Sequence, residues 1–384
     1  MKRSSISNNL RTAGLTLALL AGLAAPAAAA NITTKDWGTT AKGETVQLFT
    51  LKGARGLEAH ITNFGGVIVD LLVPAKGGRK VDVMLGYDDF ASYEKGGVFG
   101  ALIGRVVGRV SNGGTFPLDG KTIQLEKTNP AAKFVIHGGT AGFQKKLWHA
   151  EMEDGPEPKL ILTLASSDGA GGFPGLLVTT VTYTVTRNNS LKLDYSAVAT
   201  APTIVNLTNH AYFAIQGEGN GDVSGQTLQV FADKYMEQDA DILITGATPS
   251  VDGTPLDFRK PVRIGEVLNA PFPQIAMRGG GLDIGMIING KPGTLRPAAR
   301  LSDPNTGIVM DIATTQPTMQ LYSYGIGTRT NIGKGGKTYR SFYSMSLETQ
   351  GYLDASNHPN FPSNELRPGQ LLHEVTTFRF GLAR

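Results

Sequence analysis

The chain has 384 residues, with 36 Lys and Arg against 32 Asp and Glu, and no cysteine. Without Cys there is no thiol nucleophile, no disulfide and no Cys-ligated zinc or iron–sulfur centre. Three of the basic residues fall within the first thirty positions, so residues 31–384 carry 33 basic against 32 acidic residues, a net +1. That balance gives no electrostatic reason to expect nucleic acid or a membrane surface as partner.

Residues 1–30 read as a secretory signal peptide. Lys2, Arg3 and Arg11 form a basic segment, Gly14 to Leu23 an apolar one, and Pro26 to Ala30 a small-residue cleavage site. The apolar run is short for a membrane span and is followed by small residues instead of a basic stop. The expected mature chain, residues 31–384, is periplasmic or secreted and long enough to bury a large core without staples. No Pro/Ser-rich linker or charge block divides it, so a single domain is predicted.

Strand patterns then dominate in chain order. Thr45 to Leu51 is rich in β-formers, and Leu57 to Val73 reads as two strands around a Gly65-Gly66 kink. Lys159 to Ala165 is another strand. In Leu176 to Ala199, Val181, Tyr183 and Val185 alternate with threonines. The polar turn Arg187 to Ser190 follows, and Leu191, Leu193 and Tyr195 alternate back. Period 2 with turn chemistry between predicts a hairpin. A short helix is predicted near Lys260 to Leu268, then strands at Gly307 to Ile312, Thr318 to Tyr324 and Phe342 to Gln350. Many strands and few helical periods predict an all-β, large, mostly antiparallel β-sandwich.

Several motifs fail on spacing. Gly336-Lys337-Thr338 lacks the upstream glycine of a phosphate loop, and Gly217 to Gly221 lacks the dinucleotide fingerprint. No two of the six histidines stand at H-x-x-x-H spacing, and no Gly-x-Ser-x-Gly elbow occurs. What remains is a set of proton-moving and hydroxyl-binding side chains. His210 lies in Asn206-Leu-Thr-Asn-His-Ala-Tyr-Phe213; as a strand, this puts His210 on one face with Asn206, Thr208 and Tyr212. His137 ends an apolar run before two glycines. Glu348 shares a polar strand face with Ser344, Ser346 and Gln350, where a solvated charge is the ordinary reading. Arg105 and Arg109, four apart, are predicted to share a face; a guanidinium fork suits sugar hydroxyls or an ion pair. Asp283 follows three glycines, where it either meets a ligand or makes an Asx turn. His, Glu, Asp and Arg without metal or thiol suit general acid–base chemistry on a neutral polyol.

These stretches also carry a resemblance. From about Lys42 to Leu382 the chain resembles the aldose 1-epimerase (galactose mutarotase) family. In order, it shows Ile103 to Val110, Phe116 to Thr122, Ile136-His-Gly-Gly139, Gly172-Phe-Pro-Gly175 and Asn206 to Phe213. Thr254 to Arg259, Leu347-Glu-Thr-Gln350, Asn357 to Pro362 and Leu366-Arg-Pro-Gly369 follow. The resemblance implies a galactose mutarotase-like supersandwich and mutarotation of a free aldose, a neutral substrate that calls for no cofactor or metal; a monomer or homodimer is expected. It implies Glu348 as general base and His210 as general acid. His137, Arg109, Asp283 and Gln320 become substrate-binding residues. An epimerase for a phosphorylated hexose and a non-catalytic carbohydrate-binding protein are the alternatives on the same fold. Gly108, Ile284-Gly285 and Ser323-Tyr324 depart from the family pattern; they are expected to line the sugar pocket and to bear on sugar preference.

Overall fold

A computed structural model describes Met1 and residues 31–277, 279–325 and 330–383. The leader read at residues 1–30 otherwise lies outside the described residues. Residues 31–384 form one compact unit by their contacts.

Three antiparallel sheets carry the architecture. The Leu177–Val185 and Ser190–Ala199 hairpin forms the third and fourth strands of the nine-stranded one. Its register pairs Val181 with Tyr195, Tyr183 with Leu193 and Val185 with Leu191. Those side chains are buried while Thr180 and Thr182 are half-exposed, so the period-2 reading matches the sheet. A five-stranded sheet runs from Ile32–Thr39 through Thr45–Lys52, Glu58–Thr62 and Ile68–Pro74 to Lys80–Asp82. The four-stranded sheet is ordered Ala232–Met236, Asp283–Ile288, Thr318–Ser323, Met345–Gln350.

One hydrophobic cluster joins inward residues of all three sheets, including Leu51, Tyr183, Leu321 and Leu347. Burial of such alternating faces against each other is what holds a sandwich together. Among the described residues, no helix is long and apolar enough to cross a membrane.

Two expectations are corrected. Lys260 to Leu268 is not a helix. Val262–Arg263 pairs with Thr227 and Leu228 at the edge of the nine-stranded sheet, and a single 3-10 turn follows at Ile264–Glu266. Ile264, Val267 and Leu268 are buried in the main core, and that packing overrides the local preference. The strand expected from Phe342 begins at Met345; Phe342 has φ +67°, which no regular strand tolerates.

Candidate active site

The four-stranded sheet supplies the floor of the site. Register sets Glu348 opposite Gln320 and Gln320 opposite Gly285, while Ser346 lies opposite Tyr322 and Tyr322 opposite Asp283. Alternation sends Ile284, Met286, Leu321 and Leu347 to the core and leaves Asp283, Gln320 and Glu348 on the other face. That face is covered, not solvated: Glu348 is only 3% exposed. The solvated-charge reading of Glu348 is therefore excluded.

His210 follows the short strand Thr208–Asn209, and its backbone is fixed by hydrogen bonds with Ala101 and Gly100. Its ring stacks on Tyr212 at 4.7 Å and an interplanar angle of 11°. The two lie on one side of the chain, as alternation predicted. Nε2 of His210 stands 3.5 Å from Oε1 of Glu348, and Nδ1 stands 3.5 Å from the Ser346 hydroxyl.

His137 meets His210 edge to face at 5.4 Å. It ends the pairing of Val135–Ile136 with Arg109–Val110 and turns into the left-handed region at φ +52°. Gly138 follows at φ +78°, where a Cβ would lie 2.1 Å from the Gly104 carbonyl oxygen; only glycine fits this turn. The Gly108 N–H donates to Nδ1 of His137. A neutral imidazole so engaged carries its proton on Nε2.

Arg109 lies over the Phe134 ring at 5.3 Å, with Nη2 3.8 Å from Oδ2 of Asp283. Gln320 donates from Nε2 to Oδ1 of Asp283 at 2.6 Å. Asp283 is thus a strand residue held between an amide and a guanidinium, not the head of an Asx turn.

All six residues singled out for a site line one cleft of about 300 Å³, at the small end of ligand pockets. A larger hollow of about 550 Å³ beside Gly351 and Glu374 contains none of the six. Burial pushes the Glu348 carboxyl well above its usual range; Asp283 adds to this and Arg109 opposes it. Burial, helped by His137, pushes His210 well below the usual imidazole value. Burial and then Arg109 take His137 down to about 3, so it stays neutral at physiological pH. Among the described residues, no three His, Asp or Glu side chains cluster in a way that would hold a metal ion.

The family pattern described as aldose 1-epimerase matches residues 47–379. The chain belongs to the aldose 1-epimerase family. It is 36% identical to the galactose mutarotase of Bos taurus over 341 residues, 88% of this chain and 95% of that one. It is 30% identical to the aldose 1-epimerase of Escherichia coli (strain K12), over 88% and 96% of the two chains. The crystal structure of galactose 1-epimerase from Lactobacillus acidophilus NCFM superposes with a TM-score of 0.81 at 25% identity, covering 93% of this chain and 100% of that one. The galactose mutarotase-like sandwich is thereby shown.

Within that family fold, two expectations change. Arg105 does not share the cleft with Arg109. It is fully buried and donates to Ser166 Oγ, to the Ser166 and Ser167 carbonyls and to the Pro174 carbonyl. The chain between the two arginines is irregular, with Gly108 at φ +75°, so no single period relates them. Of the family departures, only Gly108 lines the cleft. A Cβ there would lie 2.3 Å from Cδ2 of Leu353. Ile284 is in the main core, Ser323 Oγ accepts from the Leu282 N–H, and Tyr324 packs against Phe99 and Tyr212.

The cleft also contains residues to which sequence reading gave no role. Tyr212 and Gln350 lie in quoted motifs, on the polar faces of His210 and Glu348, so period 2 was a signal for both. Val98 and Leu353 line it too, but an apolar wall residue has the same sequence signature as a core residue.

Proposed function

We propose that this chain interconverts the α and β anomers of free aldoses such as galactose and glucose. The observation that carries the reading is the buried His210–Glu348 pair at 3.5 Å, in one cleft with Arg109, His137, Asp283 and Gln320. The relatives named galactose mutarotase and aldose 1-epimerase support the same reading.

In this reading Glu348 is the base and His210 the acid. The Glu348 carboxylate removes the proton from the C1 hydroxyl while His210 donates one from Nε2 to the ring oxygen. The C1–O5 bond breaks and leaves an open aldehyde. Rotation about C1–C2 presents the other carbonyl face, and closure returns both protons with the roles reversed. The chemistry needs one proton on the pair. Burial drives Glu348 to hold a proton and His210 to release one. The favoured one-proton form thus has the proton on Glu348, and the reactive form, with Glu348 ionised and His210 protonated, is reached when that proton passes to His210; both forms have the same net charge. Arg109, Asp283 and Gln320 bind ring hydroxyls, and the Nε2–H of His137 donates to a sugar oxygen.

The protein is exported in this reading, as its leader implies, and works as a monomer or homodimer with no membrane or nucleic-acid partner. The N-terminus of protein recovered from the cell envelope or medium should be Asn31; an intact Met1 there would contradict export with cleavage. Activity is tested by polarimetry of freshly dissolved α-galactose and α-glucose. Residues 31–384 should speed approach to the same final rotation. Folded protein that accelerates neither sugar would count against the assignment.

A further inference from the structure

Gln350 ends the strand that carries Glu348. It is fully buried, at 0% exposure, and it borders the cleft. Neither its amide oxygen nor its amide nitrogen has a hydrogen-bond partner among the described residues. Buried amides are otherwise nearly always paired, so this side chain holds unspent donor and acceptor capacity at the edge of the site.

The surroundings do not use that capacity. Thr318, opposite Gln350 in the register, donates its hydroxyl to the backbone carbonyls of Gln350 and Gly351 at 2.9 and 3.0 Å. The backbone of Gln350 is thus fastened while its amide is not. Gln320, one rung away, has its Nε2 engaged with Asp283. Glu348 and Gln350 share a face, about 6.6–6.8 Å apart along the strand. That offset is wider than a pyranose ring itself and closer to the separation of its hydroxyl oxygens on opposite sides, so a sugar with its anomeric hydroxyl at Glu348 brings a remote hydroxyl toward Gln350.

We propose that Gln350 is a specificity-determining residue that reads ring hydroxyls away from the anomeric centre. Its Nε2–H donates to one hydroxyl oxygen and its Oε1 accepts an O–H. A neutral polyol offers both partners on adjacent carbons, which a phosphate or carboxylate does not. The inference rests on the proposed reaction at the same cleft.

The test compares wild type, Gln350→Leu and the near-isosteric Gln350→Met on galactose, glucose and their monodeoxy analogues. Steady-state mutarotation gives kcat/KM, and calorimetric titration of the same sugars gives Kd. Wild type should lose about tenfold on the one or two analogues lacking the read hydroxyl. The variants should lose about tenfold on the parent sugar, mainly through KM, and nothing further on those analogues. Variants that keep every deoxy penalty, or match wild type throughout, would overturn the proposal. Should Leu prevent folding, Met alone decides. If wild type binds sugars without accelerating them, the reaction assignment fails, while the same pattern in Kd still decides Gln350. If wild type neither binds nor accelerates any of them, both fall.

Discussion

Nε2 of His210 stands 3.5 Å from Oε1 of Glu348, with both side chains almost wholly buried. The imidazole follows a short strand paired with Leu102–Ile103, and the carboxylate comes from the outer strand of the four-stranded sheet. Neither group is held by its chain neighbours alone, so the pair exists only in the assembled fold. Its burial has consequences for pH, for variants and for stability.

Both limbs of the activity profile should be displaced from those of solvated groups. Burial lowers His210 and raises Glu348, so the one-proton state extends below the ordinary imidazole value and above the ordinary carboxyl value. The acid limb, where the pair takes a second proton, should lie well below pH 6.5, and the alkaline limb well above the usual carboxylate range. Blank-corrected kcat/KM against pH checks this. An acid limb centred near 6.5, as for a solvated histidine, would contradict it.

The two arginines should separate cleanly. Arg105→Lys removes a fork that satisfies three carbonyls and a hydroxyl, and should cost about 2–4 kcal/mol of stability with kcat/KM of the folded protein unchanged. Arg109→Lys should keep the melting temperature and raise KM about tenfold, because a point charge replaces the fork. Thermal melts and steady-state kinetics on both variants decide the matter. Equal effects on stability and KM would mean that the buried arginine and the cleft arginine are not distinct in role.

Glu374, on the last strand, has an Oε2 that is buried and without a partner among the described residues. Burial raises its carboxyl to about 8, against an opposing hydrogen bond from Gln316. Between the unfolded value near 4.3 and about 8, the folded chain holds a proton that the unfolded chain has released. Stability from this group therefore falls as pH rises through that window. Glu374→Gln should raise the melting temperature by about 3 °C at pH 8.5 and leave it unchanged near pH 4. Equal shifts at both pH values would show that the carboxyl titrates normally.

Much of this was legible in the sequence because sheets write their faces in period 2. Leu177 to Ala199 announced its hairpin, and Ser344, Ser346, Glu348 and Gln350 announced a polar face. Their burial was not legible: the cover over that face comes from His137, Arg109 and His210, brought in from distant segments. The resemblance picked out six residues, and the cleft gathers all six. The misread parts are those where the local pattern lost to packing. Val262 and Arg263 extend a sheet edge that a short sequence window does not show, and Arg105 is turned away by the irregular chain before Gly108.

The most direct test is polarimetry of freshly dissolved α-galactose with wild type and Glu348→Gln at equal concentration, each confirmed folded by its thermal melt. Loss of the Glu348 proton-accepting group should slow the enzyme-dependent approach to final rotation by about 10²–10⁴, with binding of the sugar kept. Turnover near that of wild type in the folded variant would show that the proton leaves the anomeric hydroxyl by another group, and the account of this cleft would fail.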